Sequence, residues 1–156
     1  MKPGLLRRGM NFWPPFLFSG VRVRHISEDW GEATAEMRLG RLNRNYVGTH
    51  FGGSLYAMTD PFFALLLMHR LGERYLVWDK AAHIDYIAPG RGTVRAHFVL
   101  PQARVDEIVA AAAGGEKVLP VFDVNVVHTA DESLVARVRR TLYVRLKPRH
   151  RPGGQP

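Results

Sequence analysis

Cysteine is absent from the 156-residue chain. That excludes disulfides, thiolate metal ligands and a cysteine nucleophile, and it leaves the redox compartment undetermined. Also missing is an apolar run long and clean enough to span a bilayer. The longest apolar window, around 51–68, has Asp60 near its middle, where a membrane helix would be penalised by ~3 kcal/mol. No secretory leader is convincing: Lys2, Arg7 and Arg8 precede an apolar patch, but Pro14-Pro15 interrupts it. The expectation is a cytoplasmic protein without a membrane span. Histidines occur, but never at a metal-ligand spacing such as His-x-x-x-His. Lys80, His83, Asp85, His97 and His128 stand singly on expected strands and read as structural or surface groups. No metal and no cofactor are expected.

What is present is an ordinary globular composition, 46% apolar and 23% charged, in a length that suits one domain with a sizeable core. Acids are the scarcer charge, 14 against 22 basic residues, and the formal +8 suggests an anionic partner. Much of the basic charge lies at the C-terminal end, at Arg137, Arg139, Arg140, Arg145, Lys147, Arg149 and Arg151. It is either a solvated strand face with a frayed tail or an anion site. Nucleic acid is not the expected anion, because no recognised motif and no exposed aromatic–basic interleaving accompany the charge. A nucleotide-bearing small molecule is.

The patterning divides the chain into an arm, a domain and a tail. Residues 1–20 are too apolar for a free tail, and their prolines forbid one continuous helix. They either pack across the domain or line a ligand entrance. The domain, 21–147, opens with alternation: Val21 and Val23 oppose Arg22 and Arg24, then Ala33, Ala35, Met37 and Leu39 oppose Glu32, Thr34, Glu36 and Arg38. Glu28-Asp29-Trp30-Gly31 is the turn between them. Further strands are expected at 75–87, 93–100, 117–129 and 133–146, with a short helical connection at 105–113. On the first of these, Leu76, Trp78, Ala82, Ile84 and Tyr86 share a face, and Lys80 falls on it too. From 148 the chain is rich in Pro and Gly and expected to be disordered.

One stretch organises the rest. Residues 55–68 carry only Thr59 and Asp60 as polar side chains, so a helix over 53–71, capped by Gly72, would be buried on every side. Pro61 either kinks that helix or, with Thr59 and Asp60 before it, restarts it. Upstream, Gly52-Gly53 opens the first turn to a close neighbour, and the free N–H groups there attract negative charge. A lone acid inside such a helix is paired or used. One apolar helix and about six strands, antiparallel by their short connections, make an α+β domain in which a sheet wraps the helix. That is the hotdog architecture, and the helix face left open needs a second chain.

The motif Asn45-x-x-Gly48-Thr49-His50-Phe51-Gly52-Gly53, with Asp60 seven residues later, resembles the hotdog-fold acyl-CoA thioesterases of the phenylacetic-acid-degradation type. Those carry an asparagine, then G-T-x-H-G-G, then an acid seven residues past the second glycine. Asp60-Pro61-Phe62, Tyr75-Leu76-Val77-Trp78-Asp79-Lys80 and Pro89-Gly90-Arg91 resemble more closely one subfamily of that superfamily, and the likeness covers roughly residues 12–147. Asn45, Gly52, Gly53 and Asp60 match by position; where the family has its histidine this chain has Phe51, and His50 stands one place earlier. The resemblance implies thioester hydrolysis. Amides of Gly52 and Gly53 would bind the oxyanion, and Asp60 would activate water or attack directly. Asn45 would hold the water. His50 is either catalytic or a satisfied loop histidine. Phe51, Thr49, Phe63 and Trp78 are candidates to line the acyl chain, and Arg91 to meet coenzyme A phosphates. Seven helical residues would separate Gly53 from Asp60 by ~10 Å, while reacting groups must converge to about 3 Å. The two halves of the site are therefore expected from facing subunits of a homodimer, or of a dimer of dimers. The rival from another class is a non-catalytic acyl-CoA binder on the same fold.

Overall fold

The structure, a computed structural model, describes residues 1–152. Two short helices come first, α1 (Pro3–Phe12) and α2 (Pro14–Ser19), each with proline in its first turn, where no N–H is needed. Trp13 separates them in an extended conformation, as the residue before a proline prefers. α1 lies on β1 (Val21–Ile26), an edge strand. There Asn11 donates to Val23 O (3.1 Å) and accepts from Val23 N–H (2.7 Å), so part of the open edge is satisfied by a side chain.

The hairpin partner is β2 (Glu32–Arg38), and the chain then loops to the central helical stretch. This consists of α3 (Gly52–Ala57) and α4 (Phe62–Leu71), with a break at 58–61. Pro61 offers no N–H, so the turn before it tightens: Thr59 and Asp60 donate to Tyr56 O and Ala57 O, three residues back. Helical bonding resumes with Leu65 N–H to Pro61 O. Of the two readings of Pro61, the restart describes the chain. No side chain caps the start of α4, so the restart gives Asp60 no capping role.

Around this stretch curls one antiparallel sheet, completed by β3 (Tyr75–Tyr86), β4 (Thr93–Val99), β5 (Val121–His128) and β6 (Leu134–Leu146). α5 (Gln102–Ala112) connects β4 to β5. The strand order is β1-β2-β4-β5-β6-β3, so β1 and β3 are the edges. This is the hotdog arrangement that the patterning leads to. Phe62 stacks between Phe16 and Phe98, and Phe63 meets Phe98 edge-on and Phe122 in a stack. Each such ring contributes about 2–3 kcal/mol on burial, which fixes α4 against the sheet. After β6, Pro148–His150 forms a 3-10 turn and Arg151 bonds Leu146 O. Of the tail expected to be disordered, residues 153–156 lie outside the described residues.

β3 departs from the expected alternation. Its register on β6 shifts between Asp79 and Ala81, a bulge centred on Lys80. A bulge reverses which face later side chains take. Tyr75, Val77 and Asp79 point inward before it, and Ala82 and Ile84 after it. Trp78 is therefore on the outer face, stacked on Tyr143 at 3.9 Å between ring centroids.

Candidate functional site

The start of α3 opens on a pocket of about 610 Å³. The loop 45–50 forms one wall, the α3 start the floor, and residues 86–91 after β3 the other wall. Asn45 shapes the loop. Its side-chain amide donates to Thr49 Oγ1 (2.8 Å), its Oδ1 accepts from Thr49 N–H (3.0 Å), and its backbone N–H donates to Thr49 O (2.8 Å). Gly48 sits in this turn at φ 83°, where a side chain would be strained. Every hydrogen bond of the Asn45 side chain is thus made within the loop.

The first helical bonds of α3 come from Ser54 and Leu55, both to Phe51 O. The N–H groups of Gly52 and Gly53 precede them and are the free donors of a first turn. Both glycines are needed for space. A Cβ on Gly52 would lie 2.9 Å from Tyr86 Cζ and Oη, and one on Gly53 would collide with the ring of Phe51. The phenol of Tyr86 and the ring of Phe51 therefore sit directly on the two residues whose amides are open. Behind them, His50 is buried and its Nε2 donates to Gly92 O (3.2 Å), while its Nδ1 has no partner among the described residues. Burial holds the imidazole below its ordinary range; the Gly92 carbonyl pulls the other way, and His128 adds a small downward push. His50 is a neutral donor wedged against Gly90, whose added Cβ would meet it at 3.0 Å.

The other end of α3 is an ion cluster. Arg140 is 1% exposed and gives hydrogen bonds to Asp60 Oδ1 (2.8 Å), Asp79 Oδ1 (3.4 Å), Thr59 Oγ1 (3.2 Å) and Tyr56 O (3.3 Å). Its guanidinium also lies over the Tyr56 ring, 4.9 Å from the centroid. Asp60 is not buried in this chain: its side chain is 53% exposed, one edge on Arg140 and the rest open. Asp79 is more enclosed, and burial raises its carboxyl above the ordinary range despite the opposing pull of Arg140.

Asn45, Thr49, His50, Phe51, Gly52, Gly53 and Arg91 all line the pocket. Asp60 stands apart at the helix break, Phe63 is in the core, and Trp78 is on the outer sheet face. Of the C-terminal arginines, Arg140 is turned inward and Arg139 pairs with Asp123. Arg91 is the cation at the pocket rim. Sequence reasoning missed the inward turn of Arg140, the enclosure of Asp79 and the role of Tyr86. Arg140 had a signal, a charge on the inward phase of β6 between Val138 and Leu142. Asp79 had none, because the bulge that turns it inward leaves no mark in the sequence. Among the described residues no three His, Asp or Glu side chains gather as a metal site.

A family description, "Domain of unknown function (DUF4442)", matches residues 4–144. No curated protein matches. Among solved structures, a Pseudomonas aeruginosa protein described as of unknown function and a probable thioesterase is 18% identical; 92% of this chain and 95% of that one are covered, with a TM-score of 0.80. A Haemophilus influenzae thioesterase is 17% identical over 94% and 92% of the two chains, TM-score 0.67. Zebra fish thioesterase superfamily member 2 is 20% identical over 92% and 98%, TM-score 0.65. At these identities the likeness establishes the fold and not the activity.

Proposed function

The chain belongs to the DUF4442 family, and from that premise we propose that it hydrolyses an acyl thioester of the coenzyme A type as a homodimer. One observation carries this reading: among the described residues, the amides at the start of α3 are unbonded and face a mostly apolar pocket whose single charged lining residue is Arg91. Aligned amides in a water-poor site stabilise the oxyanion of a thioester addition. The motif resembling the phenylacetic-acid-degradation type, and relatives in fold that are described as thioesterases, point the same way.

In this reading the thioester oxygen lies at the Gly52 and Gly53 N–H groups, with the acyl chain against Phe51, Leu55 and Tyr86. Arg91 meets the carrier's phosphates at the rim. Water adds to the carbonyl carbon, Asp60 of the facing subunit accepting its proton; the C–S bond then breaks and the thiol leaves protonated. Attack by the carboxylate itself, followed by hydrolysis of the anhydride, is the other order of events. Asp60 suits a role across a two-fold axis: Arg140 holds one oxygen and the remainder of the carboxylate is open. β3 suits the same assembly, being a twelve-residue edge strand with no buried residue and with Trp78 and Tyr86 exposed.

The ring of Phe51 supports a second reading, a binder without turnover, because it lies against Gly53 where the family motif has its histidine. One assay separates the two. Thiol release from a panel of acyl-CoAs should be rapid for the wild type and lost in Asp60→Asn. Saturable binding of the same compounds with no thiol release would establish the binder and overturn the hydrolase.

A further inference from the structure

The formal charge of +8 is not spread over the molecule. Residues 1–27 contain five basic side chains and no acid, residues 37–59 contain three and no acid, and the remaining fourteen basic residues are matched by fourteen acids. Residues 133–156 also hold seven basic side chains and no acid, but there Arg139 pairs with Asp123 and Arg140 with Asp60 and Asp79. The first two segments meet in the fold. Buried Asn43 donates to Ser19 O (2.9 Å) and Arg38 O (2.8 Å) and accepts from Gly40 N–H (2.7 Å), tying the end of α2 to the loop after β2. Its carbonyl accepts from Phe51 N–H (2.7 Å), so the junction runs on into the pocket wall.

The same segments hold a group of exposed apolar side chains. α1 has two stripes: Pro3, Leu6 and Met10 turn inward, while Leu5 and Phe12, two turns apart, stand in solvent with Arg8 between them. Phe12 is 76% exposed, Phe18 64% and Leu42 78%. Arg38, Arg41 and Arg44 are exposed around the loop, and Glu36, the acid nearest them in sequence, is taken by Arg24 at 2.7 Å. Rings and leucines among uncompensated cations suit an anionic bilayer surface: the apolar groups enter the headgroup region and the cations meet lipid phosphates. Nucleic acid would want rings presented as stacking platforms in a groove, whereas these crown a helix pair beside leucines. The patch also sits at the β1 edge, across the six-strand sheet from the bare β3 edge, so self-association through β3 leaves it free.

We infer that α1, α2 and the loop 38–44 form a docking surface for membranes rich in anionic phospholipid, next to the mouth of the pocket. The full chain should co-sediment with phosphatidylcholine vesicles containing roughly a third phosphatidylglycerol, and at least ~10-fold more weakly with pure phosphatidylcholine or in high salt. Phe12→Ser with Phe18→Ser alters only exposed positions. It should melt like the wild type and bind anionic vesicles at least ~10-fold more weakly, as should Arg8→Gln with Arg41→Gln. No binding to anionic vesicles overturns the inference, and so does undiminished binding by the phenylalanine variant. RNA that displaces the vesicles would assign the patch to nucleic acid instead. Loss of an oligomeric step in the phenylalanine variant would assign it to a second copy of the chain. None of these readouts needs turnover, so the inference stands or falls apart from the proposed hydrolysis.

Discussion

The two ends of α3 leave their polar groups in opposite states. At the start, two amides face a pocket with no partner among the described residues, and aromatic rings crowd the glycines that carry them. At the end, one buried guanidinium meets two carboxylates, a hydroxyl and a carbonyl within 3.4 Å. The first arrangement leaves donors free for a ligand. The second fixes the direction of a carboxylate that is otherwise half open to solvent. In a catalytic homodimer the open end of one chain would face the oriented end of the other.

Asp60→Asn tests that pairing most strongly. Asparagine Oδ1 still accepts from Arg140, so the melting point should change little, while thiol release falls at least ~100-fold, the scale of lost general-base catalysis. Gly53→Leu should also be inactive, by filling the space beside the amides. Mixing the two inactive proteins under subunit exchange should restore roughly a quarter of wild-type activity, because half the dimers then carry one intact site of two. No recovery on mixing would overturn the sharing of one site between Asp60 of one chain and the amides of the other.

Next in size is Arg140→Met, which removes the cation from two acids at once. Unfolding in denaturant at pH 7 should need about 2–3 kcal/mol less, below the ~3–5 kcal/mol of a fully buried pair because Asp60 can turn to water. Adding Asp79→Asn should recover part of the loss, because that carboxylate is the more enclosed of the two. An Arg140→Met protein as stable as the wild type would show that the cluster orients nothing.

Gly52→Ala is a milder perturbation of the open end. Its Cβ would sit 2.9 Å from Tyr86, whose ring must move. Stability should stay within about 1 kcal/mol, since alanine is the better helix former, while activity falls about 10-fold as the wall shifts. Equal activity would remove Tyr86 from the site.

The smallest effect is a pH slope from His50. Burial depresses its basicity below the ordinary 6.5. A base with a depressed folded-state pKa stabilises the fold fully above its unfolded value, and this contribution is lost as pH falls through ~6.5 toward the lower folded value. Wild-type melting should therefore drop between pH 7 and 5, and by less in His50→Gln. Parallel pH profiles would show that His50 is not the group responsible.

Local chemistry made much of this legible in the sequence. Alternation marked β1, β2 and β4, because side chains on a pleated strand alternate whatever they later pack against. The apolar stretch around Phe62 and Phe63 marked the buried helix, and Gly52-Gly53 with Asn45 marked the wall and floor of the pocket. Where Pro61 allowed two outcomes, sequence alone could not choose between a kink and a restart. Only the tertiary structure decided the rest. The bulge at Lys80 arises from how β3 registers on β6, and it sends Trp78 outward and Asp79 inward. Arg140 and Asp60 lie eighty positions apart. Their meeting depends on sheet curvature bringing β6 under the helix break. The phenol of Tyr86 settles on Gly52 for the same kind of reason. Alternation and glycine placement are properties of neighbouring residues, whereas these contacts depend on the accumulated register and twist of strands distant in the chain, which no short window of sequence contains.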